Sequence, residues 1–159
     1  MVPWQTFAES NPVLAAQGQR LLLLGAEYGD FLAGLAYLAT IRPDGGPRIH
    51  PISPALLDGH LYAFILTISP KYSDLRRDGR YALHSFPPNT LDNTPFSDDE
   101  FYLTGTARVV EDRILRQEVA SACGDEVEAG QVFELLVERV MHKSRKQGQA
   151  IYVKWRADS

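Results

Sequence analysis

The sequence predicts a mainly β protein with helices, an α+β fold built on a six-stranded antiparallel barrel that is closed or nearly closed. Three observations carry this. Residues 35–68 hold three strand-like runs divided by Pro43-Asp44-Gly45-Gly46 and Asp58-Gly59, turns far too short for the helical crossover that a parallel sheet needs. Residues 101–109 alternate Phe101, Leu103, Gly105, Ala107 and Val109 with Tyr102, Thr104, Thr106 and Arg108, the period-two pattern of a strand with one buried face. Helical patterns stand at the start, in the middle and after residue 111 rather than between every pair of strands, and closing such a sheet removes its exposed edges.

The elements follow in order. The segment from about 4 to 28 reads as helical: Asn11 can cap, Pro12 suits a first turn, and Val13, Leu14, Gln17, Leu21 and Leu24 permit an apolar stripe. The run LAYLATI (35–41), the return PRIHPIS (47–53) and HLYAFILTI (60–68) then form a three-stranded meander. Pro47, Pro51 and Pro54 place the middle strand at an edge or a bulge, because proline offers no N–H to a ladder. After Ser69-Pro70-Lys71, residues 72–79 suit one or two helical turns ending at Gly79, and RYALHSF (80–86) is a strand. Residues 87–100 have the prolines, asparagines and acids of a solvated loop. Residues 112–123 form an amphipathic helix, and strands over 131–142 and 149–157 flank a basic loop at 143–149.

A length of 159 residues fits one domain, 1–159. Sixteen Lys and Arg against twenty Asp and Glu leave a net charge of −4, which provides no sequence-wide attraction for nucleic acid or anionic membrane. Any anion site must be local. No run of about 18 apolar residues suggests a membrane span, and residues 20–26 lack the flanks of a signal peptide, so the expectation is a cytoplasmic protein without membrane or nucleic-acid partners. Cys123, the single cysteine, cannot form an internal disulfide and reads as a packing residue.

Chemistry concentrates at Ser69-Pro70-Lys71. A hydroxyl, a full positive charge two residues on, and the free N–H groups of a helix start make a phosphate cradle; the alternative is a capping serine beside a solvated lysine. His60, His84 and His142 have no second ligand at a useful spacing, so no metal site is expected. Tyr37, Tyr62, Tyr81 and Tyr102 suit core or dimer packing, with stacking on a planar ligand as the sharper reading. No Ser-His-Asp order or Walker loop is present, and no catalytic acid or base can be assigned.

Taken together, LATIRPDGGPRIHPI, DGHLYAF, SPKYSDLRRDGRYALHSF and EFYLTGTARVVED resemble the pyridoxamine 5′-phosphate oxidase-like, flavin-binding split-barrel family, from about Leu35 to Asp112. The resemblance implies an FMN-binding split barrel, a homodimer with a flavin across its interface, and an FMN-dependent oxidoreductase passing a hydride to or from a small organic substrate. Other members of the family imply the alternatives of a flavin-sequestering protein without turnover and a deazaflavin F420-dependent reductase. Carried over by position, Ser69 and Lys71 hold the flavin phosphate. His50, Pro51, Ile52 and Ser53 lie along the phosphate, ribityl and ring portions, Phe64 and Ile65 approach from the next strand, and Trp155 and Arg156 are late aromatic and basic contacts given by the second chain. His50 and Pro70 stand where the archetypal oxidase has basic residues, with Arg48 and Arg42 near enough to compensate. The arginine and histidine pair that grips pyridoxamine phosphate has no counterpart, so vitamin B6 oxidation is a poor assignment.

Overall fold

The computed structural model describes residues 1–23, 34–86 and 99–158. Its first helices, α1 (Trp4–Ser10) and α2 (Pro12–Leu22), meet at Asn11, whose side chain accepts a hydrogen bond from the Leu14 amide at 3.1 Å. Pro12 follows at a position that needs no N–H donor. Leu14, Ala15, Gly18, Leu21 and Leu22 make the buried stripe, while Val13, expected within it, points to solvent. Leu24 and the remainder of the expected helical segment lie outside the described residues, as do residues 87–98 of the expected loop.

Among the described residues there are eight strands rather than the six expected: β1 (Ala36–Ile41), β2 (Pro47–Ile52), β3 (Pro54–Leu57), β4 (His60–Leu66), β5 (Arg80–Ser85), β6 (Glu100–Val109), β7 (Gly130–Lys146) and β8 (Gln149–Arg156). All pair antiparallel in the order β2-β1-β5-β6-β7-β4-β3, with β8 also on β7. Seven segments read as strands from sequence, one more than the six-stranded barrel holds, and β3 is the eighth. Pro51 and Pro54 bracket Ser53 and interrupt the ladder, so the strand expected over 47–53 ends as β2 and the chain resumes as β3. The seventeen residues of β7 outrun any single partner, and one edge serves β4 through residues 130–134 and β8 through residues 139–146.

The expected three-stranded meander is corrected in the same way. β2 pairs with β1 and not with β4; the Asp58-Gly59 turn, with both residues at positive φ, joins β3 to β4. Strands β2 and β3 therefore stand at opposite ends of the strand order with only Ser53 between them, and the sheet curls round until its ends meet. The expected basic loop at 143–149 is mostly strand: β7 continues to Lys146, and Gln147 and Gly148, at φ 51° and 81°, make the hairpin turn.

The inward row Leu38, Leu83, Leu103 and Val140 crosses β1, β5, β6 and β7 and packs with Phe7, Leu14 and Leu21 from the N-terminal helices. At Gly18 a Cβ would lie 2.3 Å from the Phe101 ring, so this approach of helix to sheet needs glycine. A second cluster, with Tyr62, Phe64, Val119 and Val132, lies between the other face of β4 and α4 (Arg113–Ala122), which starts at an Asp112 cap. The last helix, α3 (Pro70–Arg77), packs on β1 and β4. Among the described residues no helix is long and apolar enough to cross a membrane.

Candidate functional site

The entry to α3 is built by the end of β4. The Thr67 amide donates to the Ala129 carbonyl at 3.0 Å and the Ser69 amide to the Leu66 carbonyl at 2.9 Å, which turns the chain before Pro70 opens the helix. Ser69 occupies the N-cap position in an extended conformation, yet its hydroxyl makes no capping hydrogen bond. The capping role weighed from sequence is thus not the one it plays here. Lys71, in the first turn, is half-buried, and burial pushes its ammonium pKa down with no carboxylate drawing it back.

The second wall comes from β2. Register places Arg48 beside Thr40, His50 beside Leu38 and Ile52 beside Ala36, so these three side chains share the inward side of the sheet's edge. Beneath them sits Asp74 of α3, 1% exposed, which accepts hydrogen bonds from Thr40 Oγ1 at 3.0 Å, Arg48 Nε at 2.7 Å and Arg77 Nη1 at 3.4 Å. Burial alone would raise the Asp74 pKa, but the donors from Arg48 and Thr40 outweigh it and hold the carboxyl below its usual range. His50 is pushed the other way: desolvation first, then the charges of Lys71 and Arg48, lower its pKa, with Asp74 only partly opposing. Arg48, Lys71 and Asp74 thus all act on His50. Arg48, Lys71 and Arg77 oppose one carboxylate, and that excess of positive charge beside an uncommitted hydroxyl and a helix start suits an anion of phosphate type.

The other expected residues divide. Pro51 and Ser53 are exposed at the end and break of β2, and Ile52 is buried. On β4, Phe64 packs under α4 while Ile65 points into the main core with no exposure, so a ligand there would meet chiefly their backbone. Trp155 packs on Phe7, ring centroids 4.8 Å apart, and Arg156 is exposed on the opposite face of β8. One chain does not bring these two to Ser69 and Lys71, because β8 pairs with β7 whereas α3 packs on β1 and β4. Arg42 is taken up by Asp44 within the β1–β2 turn.

Asp74 and Thr40 were missed from sequence, where Asp74 reads only as a polar residue of a short helix; its burial is the signal, and burial emerges only on folding. His60, expected in a turn, begins β4 and holds buried Glu134 at 2.7 Å together with Arg108. Cys123 lies 3.6 Å from the Ser53 carbonyl, and burial pushes its thiol up to about 11, the state of a packing residue. Among the described residues no group of three or more His, Cys, Asp or Glu could hold a metal ion.

No family model matches the sequence, and no curated protein matches it. Solved structures do match. A candidate pyridoxamine 5′-phosphate oxidase from Lactobacillus delbrueckii is 28% identical, covering 67% of this chain and 82% of its own, with a TM-score of 0.50. An F420 reductase is 16% identical over 77% of this chain and 94% of its own, TM-score 0.54. The heme storage protein HutZ from Vibrio cholerae is 14% identical over 80% of this chain and 89% of its own, TM-score 0.57. The chain has the split-barrel fold of pyridoxamine 5′-phosphate oxidase-like proteins, in agreement with the resemblance its motifs carry.

The buried carboxylate makes the cluster testable without a ligand. A folded pKa held below the unfolded one means that Asp74 contributes stability above the ordinary aspartate pKa and loses it as pH falls through the depressed value. Asp74→Asn should lower stability by about 3 kcal/mol at neutral pH, since it strands Arg48 beside a neutral amide. Urea denaturation across the acid range should also show a flatter pH dependence in the variant. An unchanged acid limb would refute the ion-paired state of Asp74.

Proposed function

We propose that the protein binds FMN as a homodimer and works as a flavin-dependent oxidoreductase on a small organic substrate. The observation that carries this is the cluster of Arg48 and Lys71 charge beside the uncommitted Ser69 hydroxyl, on a fold shared with a candidate pyridoxamine 5′-phosphate oxidase and an F420 reductase. The residues present fit the phosphate end of the cofactor: two cations, a hydroxyl and the N-terminus of α3 converge there. Bound flavin would supply the hydride chemistry.

The chain's own residues bind and orient. Lys71 and Arg48 neutralise the phosphate, and Asp74 keeps the Arg48 guanidinium turned toward the cradle. His50, with its depressed pKa, enters neutral and can donate a single ring N–H. Pro51, Ile52 and Ser53 follow the edge strand along the rest of the cofactor, where proline leaves the ladder open. Phe64 and Ile65 contribute backbone from β4, and Arg156 reaches the site from the second chain on a strand that Trp155, packed on Phe7, holds in place.

Lys71→Ala should weaken FMN by about tenfold or more, the cost of one charge-assisted phosphate contact, and leave riboflavin, which lacks the phosphate, nearly unchanged. Equal losses measured by flavin fluorescence would place Lys71 elsewhere.

A phosphate dianion should raise the His50 pKa above its depressed ligand-free value, so that binding takes up a proton and FMN affinity gains as pH falls between the two values. The flavin phosphate titrates as well, so the informative quantity is the difference between wild type and His50→Asn. Identical pH profiles for the two would remove His50 from the phosphate site.

Sedimentation should find the flavin-loaded protein dimeric, because a filled barrel of this size leaves a flavin to lie along the open edge at β2, which needs cover. A monomer with full FMN affinity would sink the shared site.

A further inference from the structure

The outer face of the sheet carries a second concentration of charge, away from α3. Cross-strand register there stacks three rows over β6, β7 and β8: Thr104, Arg139 and Arg156; then Tyr102, Met141 and Lys154; then Glu100, Lys143 and Tyr152. These side chains face away from the core, since Val140 and Trp155, between the first two rows, pack inward.

The third row obeys ordinary sheet electrostatics, with Lys143 Nζ 2.6 Å from Glu100 Oε1. The first two do not. Arg139 and Arg156 stand directly opposite one another, an arrangement that destabilises an antiparallel pair. Lys154 sits one position along on the same face. Among the described residues the only carboxylate paired with any of these three is Glu138, 3.5 Å from Arg139 Nε. A local violation of cross-strand pairing that a single exposed carboxylate among the described residues offsets only in part is the kind of feature that function retains.

The violation coincides with a groove of about 380 Å³ lined by Tyr102, Arg139, Met141, Lys154 and Arg156. We propose that this groove binds a small organic anion, its carboxylate or phosphate groups held by Arg139, Arg156 and Lys154 and its flat apolar body lying on Tyr102 and Met141. The volume falls in the range of small-molecule sites. A compact ligand suits it better than a polyanion, because the charge ends after two rows where Glu100 neutralises Lys143. Arginine forks match planar carboxylates or phosphates, and the tyrosine and methionine give a planar body an apolar floor.

Within one chain the groove is separate from the cradle at α3, which lies on the inward side of β1 and β2; Arg156 is the one residue that the flavin reading also uses, across the dimer, so the test rests on Arg139 and Lys154 in flavin-free protein. Isophthalate is a suitable probe, carrying two carboxylates on one ring, with neutral isophthalamide and inorganic sulfate as controls. Calorimetry should show isophthalate binding the wild type, a loss of at least about tenfold in Arg139→Gln/Lys154→Gln, a weaker interaction in Tyr102→Ala, and wild-type affinity in Lys71→Ala. Retained charge in Arg139→Lys should rescue part of the binding, which separates recognition from misfolding. The proposal is overturned if the double variant binds isophthalate as the wild type does, or if isophthalamide binds equally well. It is likewise overturned if sulfate matches isophthalate with no dependence on Tyr102, or if the double variant alters only self-association, which would assign the face to a second copy.

Discussion

Everything in the molecule depends on how the sheet closes. Its two terminal strands, β2 and β3, are one stretch of chain broken at Ser53, so the first and last positions of the strand order are tethered a single residue apart. A flat sheet of this order is impossible. Prolines on either side of the break withhold ladder donors, and among the described residues β2 is left with β1 as its sole partner. That open edge carries Arg48 and His50 to the start of α3, and closure is what turns two segments over twenty residues apart into one site.

Within that site the buried Asp74 has the central part. Unpaired, it would cost several kcal/mol to bury; paired with Arg48, Thr40 and Arg77 it joins β1, β2 and α3 and holds guanidinium charge at a fixed place. One carboxylate cannot neutralise two arginines and a half-buried lysine. Burial first, and then the surplus charge of Lys71 and Arg48, makes His50 give up its proton more readily than an ordinary histidine. Stability and anion affinity therefore draw on the same contacts, and a change that loosens α3 should reach both.

Much of this architecture was readable from the amino acids. Strand β6 showed plain alternation because it buries one face, and α2 was announced by Asn11 before its apolar stripe. The pairing of β2 was not readable, since a run with prolines at 47, 51 and 54 has little ladder of its own and the turn length alone does not say which strand it joins. Strand β8 was readable over 149–157 from its composition alone, since Ile151, Tyr152 and Val153 are all exposed and no buried face sets a period. The place of Ser69 and Lys71 at the start of a helix was legible because the turn that makes it is local. Asp74 was not, because its role comes from partners 26 and 34 residues away.

The central claim is that the cradle at the start of α3 was shaped to hold a flavin by its phosphate. The visible spectrum of the freshly purified protein, followed by denaturation and identification of what is released, tests this most directly. The account predicts the paired absorption bands of oxidised flavin and release of FMN, about one per chain, or uptake of FMN to that level by protein purified empty. A colourless protein that leaves the FMN spectrum and fluorescence unchanged at saturating concentration would contradict it, as would a tightly held heme in place of flavin.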